Sequence, residues 1–323
     1  MSEQLSNIAQ AVKALRTQLT KGEIFAGLPN KIGDLMESID VEPKQPVIVT
    51  SDDLEALSRI REIEKRVKHS PHPQVTDDEI SFLVDHLASL SPAVRDKGVF
   101  FLMSDLLQMN AFTDQQFHWL FDRLQAPDVL FAHILEPEND AIFLRSFALM
   151  ILSGVVYADQ ARYNVLTNDD FDRIALTLAT YIVMERDGRG YVDGKGWAHA
   201  YTHMGNLLEE LSQVNSLPRA TKVFLQMVTI EGWRRIETPL IYGEDQRIAS
   251  YLSGLTQVNP FYVEALLVSL KNWQQSLLQL RPRESIRFWN RWYNRGRLLQ
   301  AMLLQGEMPE QIQEFVQQVI DVY

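Results

Sequence analysis

The chain contains no cysteine among its 323 residues. Disulfide bonds, a thiolate nucleophile and a cysteine-based metal site are therefore all excluded. A protein without any need for oxidised thiols fits a reducing compartment, and we expect this one to be cytoplasmic.

Long apolar runs are also missing, since no run reaches the roughly 18 residues of a membrane-spanning helix. The most hydrophobic segment, from Ile142 to Val156, is shorter than that and contains Arg145. The N-terminus carries Glu3 where a signal peptide would carry basic charge. We therefore expect no membrane span, and we interpret the apolar segment as a buried helix.

Basic residues are fewer than acidic ones. The chain has 31 lysines and arginines and 42 aspartates and glutamates, which gives a formal net charge of -11. Such a chain repels a phosphate backbone unless its basic residues are segregated. The densest arginine cluster, from Arg281 to Arg297, is interrupted by Glu284. It fits a helix face paired with acidic neighbours, so nucleic acid is not an expected partner.

Helical signals recur along most of the chain. Apolar residues of the first segment follow each other at steps of three and four, the period of one helix face: Leu5, Ile8, Val12, Leu15 and Leu19. Thr76 with Glu79 and Thr113 with Gln116 form capping boxes, which predict helix starts at both places. We expect about a dozen helices of ten to twenty residues.

The spacing of these signals predicts two regions. Residues 1–50 hold an N-terminal helix and a Pro/Gly-rich connector, in which Val47 to Val49 is the only plausible strand. Residues 51–323 form a helical-repeat domain. Short connections between helices favour stacked antiparallel hairpins, as in a HEAT-like α-solenoid or an irregular α-α superhelix. A single irregular helical domain is the alternative within the same all-α class.

One loop differs in composition from the rest of the chain. Asp187 to Gly196 reads Asp-Gly-Arg-Gly-Tyr-Val-Asp-Gly-Lys-Gly and holds four of the 15 glycines. Glycine permits sharp turns and close approach by another group. The loop lacks the GxxxxGK[ST] spacing of a phosphate-binding loop. It also lacks the alternating oxygen ligands of an EF-hand, because Arg189 and Tyr191 stand at those positions.

A predicted helix from Ala198 to Leu211 follows this loop. At 100° per residue it places His199, His203, Asn206 and Glu210 on one stripe. Two histidines four residues apart can share one metal ion, with Glu244 as an outside ligand. Such pairs more often make structural hydrogen bonds, so we expect no cofactor and keep a divalent metal as the alternative.

The same residues could support acid–base chemistry. His199 or His203 would act as the base, with Asp187, Asp193 or Glu244 as its partner. No nucleophile motif accompanies them. Arg145, a charge inside an apolar helix, needs a partner, and a carboxylate such as Asp187 or Asp193 would serve. The full set of candidate ligand-binding residues is Arg145, Arg189, Tyr191, Asp193, Trp197, Asn206 and Asp245.

These residues carry a family resemblance, which runs from about Asp77 to the C-terminus. The Arg189-Gly190-Tyr191 triplet, the Gly-Trp-Ala-His-Ala stretch that begins at Gly196, and His203 resemble the bacterial family catalogued as domain of unknown function 2785. The resemblance implies an all-helical fold and marks the loop and the histidines as the site. It implies no known reaction. Members of the family typically carry an aspartate where this chain has Asn206.

Two hypotheses of function follow. The first is a protein or peptide interaction module whose binding site is built on the Asp187–Gly196 loop and the histidine helix. The second is a metal-dependent or His/carboxylate hydrolase-like enzyme acting on a small anionic substrate, with Arg145 and Arg189 gripping the anion. The sequence sets neither the identity of the partner or substrate nor the oligomeric state.

Overall fold

A computed structural model describes residues 3–279 and 284–320 of the chain. Within them the secondary structure is almost entirely helical, so the all-α prediction is confirmed. The α-helices are α1 (Glu3–Thr20), α2 (Leu28–Glu37), α3 (Asp53–Lys68), α4 (Asp77–Asp85), α5 (Pro92–Val94), α6 (Phe101–Gln108), α7 (Asp114–Leu124), α8 (Pro127–Leu130), α9 (Ile142–Ala158), α10 (Asn168–Met184), α11 (Ala200–Gln213), α12 (Arg219–Arg234), α13 (Glu244–Val258), α14 (Pro260–Gln279), α15 (Ile286–Leu304) and α16 (Glu310–Val319).

Three short segments interrupt the regular helices of the described residues. Arg95–Phe100 and Asp159–Tyr163 are π-helical, and His86–Ala88 is a 3-10 turn. Two strands, β1 (Tyr191–Val192) and β2 (Gly196–Trp197), pair in antiparallel fashion. No strand was expected in this part of the chain, so the hairpin is a feature that the sequence did not predict. Arg281 and Arg283 of the arginine cluster lie outside the described residues.

Local signals account for the start of several helices. Both predicted capping boxes are formed: the Thr76 hydroxyl accepts from the Glu79 amide while the Glu79 carboxylate accepts from the Thr76 amide, and Thr113 with Gln116 repeats this exchange. Each box satisfies two amides that a helix start leaves without partners. The predicted starts of α4 and α7 are therefore confirmed.

The chain divides into two compact units, each assembled from separate segments. Unit 1 comprises Met1–Asp40, Asn168–Arg189 and Leu211–Tyr323, and unit 2 comprises Val41–Thr167 and Gly190–Glu210. The predicted division of the chain into residues 1–50 and 51–323 stays a prediction.

Unit 1 is built on a row of alternate helices. α10 packs on α12, α12 on α14 and α14 on α16, while α13 packs on α14 and α15. Contacts between every second helix are the pattern that stacked hairpins produce. α1 and α2 pack on α10 and α12, so the N-terminal helix is part of the core of this unit.

Unit 2 is organised around α9. Helices α6, α7 and α8 pack against it, and most of its residues are buried. Together with the π-helical segment it forms one helix, Ile142–Tyr163, of 22 residues, and the most apolar 18-residue window of this helix has a mean hydropathy of 1.6. It is the one helix of the described residues long and apolar enough to cross a membrane, so the expectation that it is too short was wrong. Within the protein 78% of its most apolar window is buried, as in a core helix.

Two other local predictions need correction. Val47 to Val49 belongs to no strand of the described structure, so the predicted strand was wrong. The helix expected from Ala198 begins at Ala200, because His199 adopts a left-handed backbone conformation with φ of 53°. His199 therefore lies outside the helix that carries His203.

Candidate functional site

The hairpin of unit 2 brings two aromatic side chains together. Its register pairs Tyr191 with Trp197, and their rings meet edge to face at 5.0 Å. A turn closes the hairpin, with Lys195 N donating to Val192 O, and Gly194 adopts a φ of 72° there. The side chains of Tyr191 and Trp197 remain 50% and 38% exposed. The loop that sequence analysis singled out therefore turns sharply and presents two rings to solvent.

A buried arginine fixes the position of this hairpin within unit 2. Arg95 is fully buried, and its guanidinium donates to Ser89 O at 2.7 Å and Lys195 O at 2.8 Å. Its Nε lies 2.7 Å from Oδ1 of Asp96 as an ion pair without the alignment of a hydrogen bond. Burial lowers the pKa of Arg95, although the Asp96 carboxylate opposes this effect. Arg95 thus joins the segment just before α5, at Ser89, to the turn of the hairpin, at Lys195, a hundred residues further along the chain.

Aromatic rings surround the same cation. The Cζ of Arg95 lies 4.3 Å from the ring centroid of Phe143 and 4.8 Å from that of Phe147, both on α9. Stacking on ring faces offsets part of the cost of burying a guanidinium. Sequence reasoning missed Arg95, although a charge in an apolar stretch was the signal that drew attention to Arg145.

A second ion pair holds the hairpin turn. Lys195 Nζ lies 2.8 Å from both carboxylate oxygens of Asp140. Both side chains are about one-third exposed, so the pair contributes modestly to stability. Its effect is to direct the turn toward the loop that precedes α9. Asp193, in the same turn, is exposed.

His203 is anchored by α9. Its Nδ1 lies 2.9 Å from Ser146 O, and the side chain is 7% exposed. Burial lowers the pKa of His203 to about 3, so the ring is neutral at physiological pH. A neutral ring beside a carbonyl carries its proton on Nδ1, which donates to Ser146 O. Nε2 therefore keeps its lone pair.

His199 does not belong to the helical stripe that the sequence predicted. It precedes α11, and its carbonyl accepts from the amide of His203 at 3.0 Å. Its ring stacks on Trp197 at 4.2 Å and meets the His203 ring at 6.2 Å with an interplanar angle of 89°. Burial lowers the pKa of His199 as well. A left-handed backbone at a non-glycine residue costs of order 1–3 kcal/mol and is found at binding sites more often than elsewhere.

The rings of unit 2 form a continuous series, which we call the aromatic strip. Phe147 meets the His203 ring edge to face at 5.3 Å, and Phe100 meets Phe147 at 6.4 Å. Phe100 contacts Phe101 in turn at 5.4 Å. Both ends of the strip are exposed. Its members in order are Phe101, Phe100, Phe147, His203, His199, Trp197 and Tyr191.

Two further members of the predicted stripe lie on α11. Asn206 Nδ2 is 3.3 Å from the sulfur of Met150 on α9. Glu210 has a raised pKa because of burial, with a smaller effect from Glu209. Neither residue has a described contact with the histidine rings, so the stripe of four polar residues is not one constellation.

The other acidic candidates belong to unit 1. Asp187 is engaged by Arg189, whose Nε and Nη2 lie 2.9 and 2.6 Å from its two carboxylate oxygens. Glu244 accepts from the amide of Tyr242 at 2.8 Å, and burial raises its pKa. Burial also raises the pKa of Asp245. Within unit 1, Asp187 and Glu244 thus accept hydrogen bonds from residues two positions away in the chain.

Arg145 lies in unit 2, and its guanidinium donates to Ala132 O at 2.7 Å and lies 3.5 Å from the amide oxygen of Asn139. Both oxygens belong to the loop before α9. The pairing of Arg145 with a carboxylate, Asp187 or Asp193, stays a prediction.

A metal site has no complete ligand set in the part of the chain that the structure describes. No group of three or more histidine, aspartate and glutamate side chains is placed to hold a metal ion there. Unit 2 instead offers an aromatic surface, the buried guanidinium groups of Arg95 and Arg145, and the Nε2 lone pair of His203.

The burial of His203 predicts a dependence of stability on pH. Below pH 6.5 the unfolded chain takes up a proton at this residue, whereas the folded protein does not until about pH 3. Stability is therefore lost as the pH falls from 6.5 toward 3, by up to about 1.4 kcal/mol per pH unit. The substitution His203→Asn keeps a donor for Ser146 O and removes the titrating group.

We expect the wild type to lose about 2 kcal/mol more than the His203→Asn variant between pH 7 and pH 5. Urea unfolding at the two pH values measures this difference. All other titrating groups are common to both proteins, so they cancel. Equal losses in the two proteins would show that His203 is not buried in its neutral form.

The fold and the site define an all-α protein that carries an aromatic strip around a β-hairpin and a buried arginine. Residues 130–304, just over half of the chain, match the family model described as "Protein of unknown function (DUF2785)". The chain belongs to this family, so the resemblance stated from the sequence is confirmed. No curated protein and no solved structure matches the chain.

Proposed function

We propose that this protein is an interaction module that binds a protein or peptide partner through the exposed end of the aromatic strip. The observation that supports the proposal is the pair formed by Tyr191 and Trp197, which contact each other and yet remain half and more than one-third exposed. Large aromatic side chains of this kind supply most of the binding energy at protein interfaces.

The rigidity of the hairpin strengthens the proposal. Arg95 holds the carbonyl of Lys195, Asp140 holds its ammonium group, and Gly190 O accepts from the amide of Ala198 at 2.8 Å. A surface held in its binding conformation loses little conformational entropy when a partner docks. The hairpin is therefore suited to recognition even though it is only a few residues long.

The enzymatic alternative receives less support from the same contacts. With a pKa of about 3, His203 is a weak base at neutral pH and provides little driving force for proton abstraction. Asp187 is already engaged by Arg189. The net charge of -11 favours a protein or peptide over nucleic acid as the partner, and the absence of cysteine favours a cytoplasmic setting.

Site-specific photo-crosslinking tests this proposal. A photoreactive phenylalanine analogue placed at Tyr191 in cells that produce the protein is expected to yield a discrete adduct, which Trp197→Ala reduces at least tenfold. Loss of a central interface aromatic commonly costs about 2 kcal/mol or more. The same analogue at Tyr157, which is 59% exposed in unit 2, is the control and should give no such adduct.

Two results would contradict the proposal. One is an adduct at Tyr191 that persists in the Trp197→Ala variant. The other is the same adduct from both labelled positions, which would indicate contact without recognition.

A further inference from the structure

A second surface of unit 2 lies outside the aromatic strip. Val47 to Thr50 belongs to no helix, strand, turn or bend, and among the described residues no backbone hydrogen bond is formed by its amides or carbonyls. The chain is fixed just before this segment. Glu42 N donates to Leu135 O at 2.8 Å, and Gln45 N donates to the Glu136 carboxylate at 2.8 Å. α3 follows from Asp53.

The composition of the segment is that of a strand. Valine and isoleucine are β-branched and favour extended backbone. Val47 and Val49 are half-buried, whereas Ile48 between them is 91% exposed. This alternation is the burial pattern of a strand that lies flat on a protein surface. A strand with an unpaired backbone is a template on which another strand can add.

A cavity of about 240 Å³ opens beside the segment. Apolar atoms of Val84, Ala88, Val129 and Leu144 line it together with Ile48, Val49 and Thr50. Its volume is many times the ~10–15 Å³ that a cavity needs to admit one water molecule. The cavity is thus large enough for an apolar side chain projecting from a strand paired with residues 47–50.

A polar atom beside the cavity also lacks a partner. Oγ1 of Thr50 is buried, and no atom of the described residues forms a hydrogen bond with it. Burying a hydroxyl without a hydrogen bond costs about 1–3 kcal/mol relative to a satisfied one. An amide or carbonyl of an added strand would satisfy it. This observation points to a peptide ligand rather than to a purely apolar one.

The charges around the cavity favour a basic partner. Asp85 and Asp128 line it together with Arg123, whose Nη1 lies 2.8 Å from Asp128 Oδ1. One guanidinium faces two carboxylates, so the rim carries an excess of negative charge. A lysine or arginine beside the apolar residue of a peptide would complement it.

From these observations we propose that Val47 to Thr50 binds an extended peptide by β-strand addition. The peptide pairs its backbone with residues 47–50, inserts one apolar side chain into the cavity and carries a basic residue nearby. The proposal concerns a different surface from the aromatic strip and does not depend on it.

Selection from a library of random seven-residue peptides, displayed on phage and presented to the full-length chain, supplies the probe. The selected peptides are expected to share an apolar residue flanked by lysine or arginine. Their affinity is measured by calorimetry for the wild type and four variants: Ile48→Pro, Ile48→Ala, Ala88→Phe and Trp197→Ala.

Ile48→Pro removes one backbone donor from an exposed position, and Ala88→Phe fills the cavity. Each is expected to weaken binding at least tenfold. Ile48→Ala keeps the donor and should change affinity less than threefold. Trp197→Ala should leave it unchanged, which separates this surface from the aromatic strip. Circular dichroism establishes that each variant folds as the wild type does.

Amide hydrogen exchange gives a second readout that needs no variant. In the free protein the amides of residues 47–50 should exchange at nearly unprotected rates, and the selected peptide should slow them at least tenfold. The proposal is overturned if no selected peptide is sensitive to Ile48→Pro and Ala88→Phe, or if these amides are not protected. Protection that rises with protein concentration alone would assign the edge to a second copy and overturn it too.

Discussion

Replacing Arg95 by methionine is expected to lower the free energy of unfolding by about 3–5 kcal/mol. Methionine retains the apolar stem but removes the cation. The carbonyls of Ser89 and Lys195 lose their donors, and the half-buried Asp96 loses its ion-pair partner. Hydrogen bonds from a charged donor are worth about 1.5–3 kcal/mol each, so the losses accumulate.

Arg59 offers a matched control in the same unit. Its Cζ also lies 4.3 Å from a phenylalanine ring, that of Phe82, and it also pairs with an aspartate, Asp78. The side chain of Arg59 is 39% exposed, however, so water replaces most of the interactions that a substitution of Arg59 removes. Arg59→Met should cost less than about 1 kcal/mol.

Urea unfolding followed by circular dichroism measures both effects. In the Arg95→Met protein, the emission of Trp197 should also shift toward that of a fully hydrated indole, because the hairpin loses an anchor. Equal costs for the two arginines would mean that burial of Arg95 contributes nothing to stability.

Replacing Gly196 by alanine should cost about 2–4 kcal/mol. The residue has a φ of 79°, a conformation that costs an L-residue about 1–2 kcal/mol. Its Cβ would also lie 2.8 Å from Cγ of Pro92 and 3.2 Å from Nη2 of Arg95. Overpacking of this kind typically costs about 1–3 kcal/mol more. The same displacement would weaken the contact between Arg95 and Lys195 O.

Gly194 separates the cost of the left-handed backbone from the cost of close packing. It lies in the same hairpin with a φ of 72°, but a Cβ added there would meet nothing within 4 Å. Gly194→Ala should therefore cost only the conformational part, about 1 kcal/mol. Thermal or urea unfolding of the two variants provides the comparison. If Gly194→Ala proved as costly as Gly196→Ala, close packing against Pro92 would not be the reason for glycine at 196.

The site could be predicted only in part. Composition drew attention to the Asp187–Gly196 loop, and the aromatic and histidine residues after it do lie together in unit 2. The prediction that His199 shares a helix face with His203, Asn206 and Glu210 was wrong. It assumed a helical backbone at His199, whose backbone is left-handed. Asp187 and Glu244 were candidates by residue type alone. The structure places both in unit 1, where each has a local partner.

What the sequence by itself determined is the helical class, the capped starts of α4 and α7, the buried character of α9 and the absence of thiol chemistry. These features depend on residues within a few positions of one another, so periodicity and capping reveal them. Only the tertiary structure decided that Arg95 supports the hairpin at Lys195 and that the ring of His203 is buried beside Ser146. Those contacts join residues 100 and 57 positions apart. Burial of a charge or a ring depends on which distant segments meet, and no local pattern specifies that.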